Sequence, residues 1–540
     1  MKTQKFYFKP AGNVEDSSDE SQVEYKLADA VVKTHQNPWD QAHEIKKSTD
    51  FDGYIEPDLD DQNPQARRFH ETTKIREGLE ATPLADDEYD PNWPFPGSVK
   101  SPKKMIWHQH DNYSQLRKAW NEVSTSDNVV RVAHFDTGYD PNHPTFPLNI
   151  EIHLQKNFVE ANNSAEDIES EGWLKMPGHG TGTLSILAGK KIKLEDYDNF
   201  DDYIGVHNNI KIVPIRISKS VVLWKNQAFV DALNYIIALY DNPTTRCHVV
   251  TMSMGGMPSK AWADVVNRAY EKGIFIVTAS GNNFGRLTPS TLVYPARFQR
   301  VTAACGVNYD MAPYYKDFKI KNIKTMGGNF GPRKAMKKAV AAFTPNVPWA
   351  MIGTQVVSLN GAGTSSATPQ IAAAAAIYYQ KYFDQLEKME GWQKVESIRY
   401  ALYKSANKKL KKGFEDYELY VGNGVLQAWD MLQIKPDILK ISKTDPDQVS
   451  WPFLKMLTGA NLESTGEELE SAQDSDLEMY EVEILQLISK SAAIQTLLEE
   501  EELDFSGLTE KEKKQLFGII LEMDAASDSL KSFILKNGLS

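Results

Sequence analysis

Gly363-Thr364-Ser365-Ser366-Ala367-Thr368-Pro369, followed at once by the alanine run Ala372 to Ala376, is the stretch on which the reading of this chain turns. A turn of small residues leading into an apolar helix can hold a serine hydroxyl out into a cleft while the helix behind it is buried. The unpaired N–H groups at the helix start then face developing negative charge. A nucleophilic serine needs both. Taken alone the stretch also reads as an ordinary helix cap, so its neighbours in the chain decide.

Upstream, Val129 to Phe135 is a mostly apolar strand that runs into Asp136 and then Thr137-Gly138. A carboxylate at the end of a buried strand is costly unless it is paired or hydrogen-bonded. Pro177-Gly178-His179-Gly180-Thr181-Gly182-Thr183 places a histidine in a glycine-rich turn ahead of the apolar run Leu184 to Ala188. Singly, the aspartate reads as a turn cap and the histidine as a loop residue. Together the three segments follow the order Asp, His, Ser, one of the chain orders in which a serine, its base and an orienting acid recur on unrelated folds.

With these residues in view, the chain resembles the subtilisin-like serine peptidases. The matching residues are Asp136-Thr137-Gly138, His179-Gly180-Thr181 and Gly363-Thr364-Ser365 with Ala367-Thr368-Pro369. Ile274 to Asn282 resembles the strand that delivers the family's oxyanion asparagine, and Val249 to Gly256 the strand that lines its substrate cleft. The resemblance implies a fold and a set of roles. Ser365 would attack the scissile carbonyl, His179 would act as base and then acid, and Asp136 would orient the imidazolium. Asn282 and the Ser365 N–H would donate to the oxyanion. Ser253, Met254 and Gly255 would bind an extended substrate as an added strand. The chain departs from the family pattern at Gly182, where relatives often carry a second histidine, which puts local packing in question. It departs again at Ser366, where many carry an oxidisable methionine.

Composition bounds the rest. The chain has 540 residues, too many for one ordinary domain, and a net charge of −13. That charge argues against nonspecific nucleic-acid binding and against docking on an anionic membrane. No apolar run is long enough to span a bilayer, and the N-terminus lacks the apolar core of a signal peptide. These features predict a cytoplasmic protein. Cys247 and Cys305 lie beside apolar runs and read as buried thiols. No cofactor is required by the chemistry. The family resemblance leaves structural calcium open, and no oxygen-rich loop here has a distinctive ligand pattern, so no metal ligands are assigned.

The expected fold class is α/β: a subtilisin-like parallel sheet flanked by helices, with a small α+β unit before it and a helical module after it. Residues 1–60 form the first unit, with a strand at Gln4 to Lys9, helical pieces at Glu24 to Val32 and Pro38 to Lys47, and a strand within Phe51 to Leu59. Two readings of this unit stand, an inhibitory propeptide of the family and a simple extension. Residues 61–105, with Pro91-Asn92-Trp93-Pro94, are linker or arm. Residues 106–432 alternate strands and helices as a parallel sheet requires. Residues 437–540 form an acidic helical module: Leu462 to Asp476 reads as disordered, Leu477 to Leu498 is helical, Thr509 to Glu512 is a capping box, and a last helix covers Ser529 to Lys536. Its apolar face predicts either packing on the protease, a partner or activator, or a dimer contact. The leading function is a serine endopeptidase acting on protein or peptide. A peptide-binding scaffold and a transpeptidase using the same triad are the alternatives.

Overall fold

The computed structural model describes residues 2–10, 26–32, 36–59 and, with short gaps, 105–449, 471–494 and 510–537. Its centre is a seven-stranded sheet. Val130–Asp136 (β4), Lys156–Asn157 (β5), Ile210–Arg216 (β6), Val249–Met252 (β7), Phe275–Ala279 (β8), Thr302–Val307 (β9) and Ala339–Phe343 (β10) pair in the order β10-β9-β8-β7-β4-β6-β5. Every pairing is parallel. Continuous burial along β4, β7, β8 and β9 is what a sheet covered on both faces demands, and it explains why these strands read as unbroken apolar runs.

Five helices complete the part that positions the site: His179–Ala188 (α2), Asn226–Leu239 (α3), Lys260–Lys272 (α4) and Gly363–Lys381 (α5), with Pro38–Thr49 (α1) ahead of them in the N-terminal unit. All but the last residue of α5 is buried, including all of its alanines, so it runs through the core beneath the sheet. Small side chains there let the helix lie close to its neighbours.

In the N-terminal unit, Lys2–Pro10 (β1) pairs antiparallel with both Lys26–Val32 (β2) and Gly53–Pro57 (β3), and α1 packs on this sheet. The helix expected over Glu24 to Val32 is therefore a strand. Its seven residues bond in register along β1, from Lys2 opposite Val32 to Phe8 opposite Lys26. The leucine and alanines favour a helix locally, and the long-range ladder overrides them.

At the other end are Ser471–Lys490 (α6), Glu510–Glu522 (α7) and Asp528–Asn537 (α8). Ser471 to Asp476, expected to be disordered, opens α6. The capping-box residue Thr509 lies outside the described residues. The segment before these helices is fastened to the sheet domain. Asp447 is buried, its carboxylate accepts from the Arg300 N–H at 2.9 Å, and its backbone bonds the Asn267 amide in both directions. The apolar face foreseen in this module is covered by the chain itself. Met479, Val482, Leu487, Leu516 and Ile534 share one buried cluster with Phe6, Trp39 and Ile55 of the N-terminal unit and Phe229 and Trp262 of the sheet domain.

Candidate active site

Asp136 ends β4 at the carboxyl edge of the sheet, the edge where ligands bind in open α/β folds. Burying this carboxylate would by itself raise its pKa, but the neighbours override burial and the net direction is downward: His179 first, then His134 and the Thr137 N–H. Oδ1 accepts from His179 Nδ1 at 2.7 Å and from Thr137 N–H at 2.8 Å, and Oδ2 accepts from the Thr183 hydroxyl at 3.0 Å. Because Asp136 accepts from Nδ1, the imidazole proton sits there and Nε2 is left as the basic end.

His179 is the first residue of α2. The turn that carries it is fixed from below. Gly178 N–H donates to Asp167 at 2.7 Å, Gly180 N–H donates to the Thr137 hydroxyl at 3.1 Å, and Arg216 holds Asp167 at 3.0 Å. Gly180 permits this approach: a Cβ there would come within 2.0 Å of the Gly138 carbonyl. The tightness explains why both motifs need glycine.

The question raised by Gly182 has a physical answer. A Cβ on it would lie 2.0 Å from the Trp349 indole, which occupies the space a side chain would take and meets His179 edge-to-face at 5.6 Å between ring centroids. Gly182→Ala should gain about 1 kcal/mol of helix propensity and lose more by pushing Trp349 from its seat. We expect a net destabilisation of about 1–3 kcal/mol, read from urea unfolding.

Ser365 is the third residue of α5 and 8% exposed. Pro369 in the same helix has no N–H, so the Ser365 carbonyl has no partner four residues on. Ser253 supplies one: its hydroxyl donates to the Ser365 carbonyl at 2.9 Å, and Ser365 Oγ donates back to the Ser253 carbonyl at 3.2 Å. The nucleophile's proton therefore points at Ser253, and among the described contacts no bond joins Ser365 to His179. Such bonds commonly tighten only with substrate in place. Asn282 accepts on Oδ1 from Thr364 N–H at 2.9 Å and from its hydroxyl at 3.2 Å. That holds Oδ1 at the turn before α5 and fixes the orientation of the amide.

The residues expected to bind substrate are placed less simply. Ser253 and Met254 are buried, and the Met254 side chain belongs to the core. Gly255 N–H already donates to the Val221 carbonyl at 3.2 Å, and Gly256 N–H to Tyr294 at 2.8 Å. Sequence reasoning missed Thr183 and His134. His134 is buried on β4, Nε2 of its ring lies 2.9 Å from Thr183 Oγ1, and burial lowers its pKa to about 4. With the threonine proton on Asp136, His134 Nε2 is the donor to Thr183. The signal was present in the spacing: Thr183 is four residues from His179 on one helix, and His134 two from Asp136 on one strand.

Among the described residues, no group of three or more His, Cys, Asp or Glu is placed to hold a metal ion. No described helix is long and apolar enough to cross a membrane. Cys247 and Cys305 are buried and unpaired, and burial pushes both thiols up to about 12.

Comparison with known proteins identifies the family. Residues 127–424, more than half of the chain, match the subtilase family. The chain is 26% identical over 254 residues to subtilisin DY of Bacillus licheniformis, covering 47% of this chain and 77% of that protein. It is 24% identical over 255 residues to subtilisin E of Bacillus subtilis (strain 168), covering 47% of this chain and 56% of that protein, so it spans only about half the length of that relative. A solved structure, the prenylagaramide maturation protease PagA, aligns with 19% identity and a TM-score of 0.42, over 59% of this chain and 98% of that one. The chain thus belongs to the subtilase family of subtilisin-like serine endopeptidases.

Proposed function

We propose that this chain hydrolyses peptide bonds through an acyl-enzyme on Ser365, and that its N-terminal unit restrains it. The observation that carries the first part is the 2.7 Å bond from His179 Nδ1 to Asp136, which leaves Nε2 as the nitrogen able to accept a proton. His179 Nε2 takes the Ser365 proton as Oγ attacks the carbonyl. Asp136 stabilises the imidazolium without taking its proton. The new oxyanion is met by Asn282 Nδ2 and the Ser365 N–H, dipoles set in place before reaction and so costing no reorganisation. His179 then protonates the leaving amine, and a water activated by the same nitrogen releases the acid. Substrate is a protein or peptide in extended form. The reaction needs no cofactor; structural calcium is open to a chelation experiment. The unpaired buried thiols favour a reducing compartment such as the cytoplasm. Cleavage of casein, with product masses compared with and without an added amine, tests the reading. Transfer to the amine at the expense of hydrolysis would move it to transpeptidation.

The restraint rests on how the N-terminal unit meets the catalytic part. Asp58 accepts from the N–H groups of Asn226, at 2.9 Å, and Gln227, at 3.4 Å, at the start of α3. Glu56 accepts from the Lys260 N–H at the start of α4, at 3.1 Å, and from the Asn226 amide at 3.2 Å. Two carboxylates thus satisfy two helix N-termini, where negative charge is favoured. Leu59 then packs on Met257 and Val222, and Val222 pairs with Gly255 in the segment expected to bind substrate. This favours the propeptide reading over a simple extension.

Docking should depend on pH through Glu56. Burial raises its carboxyl to about 7, opposed by donors from Tyr54, Ser259, Lys260 and Ala261. A carboxyl raised on docking takes up a proton. The docked state therefore binds more protons than the released one between about 4.5 and 7, and docking weakens as pH rises through that window. With the segment 61–104 cut in Ser365→Ala protein, release of the unit should be at least about tenfold faster at pH 8 than at pH 5. Glu56→Gln should flatten that dependence.

A further inference from the structure

The C-terminal helices lie outside the segment that matches the family, yet they are built onto the N-terminal unit side chain by side chain. Asp40, in the first turn of α1, accepts on Oδ2 from Asp528 N–H at 2.9 Å. Its Oδ1 accepts from the Ser529 N–H at 2.8 Å and the Ser529 hydroxyl at 2.7 Å, so a residue of the N-terminal unit caps α8. Trp39 Nε1–H donates to Gln486 Oε1 at 3.0 Å, within the core. Lys46 Nζ donates to Ser475 at 2.5 Å and pairs with Asp476 at 2.6 Å. Asn37 Nδ2 donates to the Ala525 carbonyl at 2.9 Å. The His43 ring stacks on Tyr480 at 4.7 Å, and Tyr480 on Phe533 at 4.6 Å.

The same helices also grip the catalytic part. Gln486 Nε2 donates to the Pro258 carbonyl at 3.1 Å, so one side chain joins all three regions. Lys260 of α4 pairs with Glu478 of α6, and its ammonium lies over the Tyr54 ring of β3 at 5.1 Å. The N-terminal unit is therefore held between two walls. One is the pair of helix N-termini at Glu56 and Asp58, joined by Lys9 to Asp264 at 2.9 Å. The other is α6 with α7 and α8.

We propose that the C-terminal helices are a receptor for the N-terminal unit, retaining it on the enzyme after the segment that connects them has been cut. A unit bound at two linked surfaces must leave both at once, and its escape is slow even where each surface alone is weak. Cleavage within 61–104 then does not open the cleft. Opening requires that α6–α8 be displaced, by a cut before α6 or by a protein that takes the helices. The consequence for activity rests on the propeptide reading above; the retention itself does not.

The test uses the full chain with Ser365→Ala, a site for a specific protease placed within 61–104, and immobilisation through the C-terminus. After cutting, loss of the N-terminal fragment into buffer is followed with time. The fragment should stay bound, and Asp40→Ala with Lys46→Ala should release it at least tenfold faster. Trp39→Phe, which removes the bond to Gln486 and part of a ring packed in the core, should release it faster by a smaller factor, and thermal unfolding of the uncut variants checks that each is folded. Immediate loss from the parent protein, or one release rate for parent and all folded variants, overturns the proposal. Cutting the same protein with Ser365 intact separates the two readings. A retained fragment with full activity would end the propeptide reading and leave the receptor standing.

Discussion

Ser365→Ala is expected to reduce peptide-bond hydrolysis by at least about 10⁴-fold, with substrate affinity little changed. The hydroxyl does little for the fold. Its one described hydrogen bond is the 3.2 Å donation to the Ser253 carbonyl, whereas the backbone carbonyl of residue 365, held by Ser253 Oγ, is untouched by the substitution. Stability should therefore change by no more than about 1 kcal/mol, so lost activity can be assigned to lost chemistry. His179→Ala should cost about as much, because serine and base act as one unit and their losses do not add. The measurement is single-turnover cleavage of a peptide with purified variants. A variant lacking the hydroxyl that cleaves at the parent rate would remove the acyl-enzyme from the account.

The second large effect is expected at Asn282. Removing one donor from an oxyanion hole in a subtilisin costs about 10²–10³ in kcat, and Asn282→Ala should fall in that range with KM nearly constant. This residue does two things, however. Its Oδ1 accepts from Thr364 at the start of α5, so alanine also loosens the turn that presents Ser365. Asn282→Asp separates the two. Aspartate keeps an oxygen for Thr364 and sets negative charge where the oxyanion forms. If the amide serves the transition state, aspartate should be at least as damaging as alanine. If it serves only the turn, aspartate should restore activity. Steady-state kinetics on the two variants, with unfolding curves, decide between these.

The positions proposed for the triad could be picked out in the sequence because the chemistry leaves little freedom around them. Asp136 must close a buried strand, His179 must stand at a helix start, and Ser365 must precede a helix of small residues. Each demand writes itself into a few adjacent residues. The sheet was legible for a related reason: strands covered on both faces are apolar throughout. What escaped depends on contacts between distant residues. Trp349 fills the space beside Gly182 from far along the chain, and no local pattern announces it. The strand Lys26–Val32 has helix-favouring residues and takes its form from β1. Ser253 reads as a substrate strand, while its hydroxyl answers for the N–H that Pro369 lacks. The apolar face of α6 was visible, but its occupant was not, because Trp39 lies over four hundred residues away in sequence.

The most direct measurement is intact-mass and peptide-mapped labelling by a fluorophosphonate probe, on the chain carrying Asp40→Ala with Lys46→Ala, cut within 61–104 and washed free of its N-terminal fragment. The account predicts a single adduct, on Ser365, absent in Ser365→Ala and slowed by orders of magnitude in His179→Ala. No adduct on Ser365 in the protein freed of its N-terminal fragment, or labelling at an equal rate when His179→Ala is added, would contradict it.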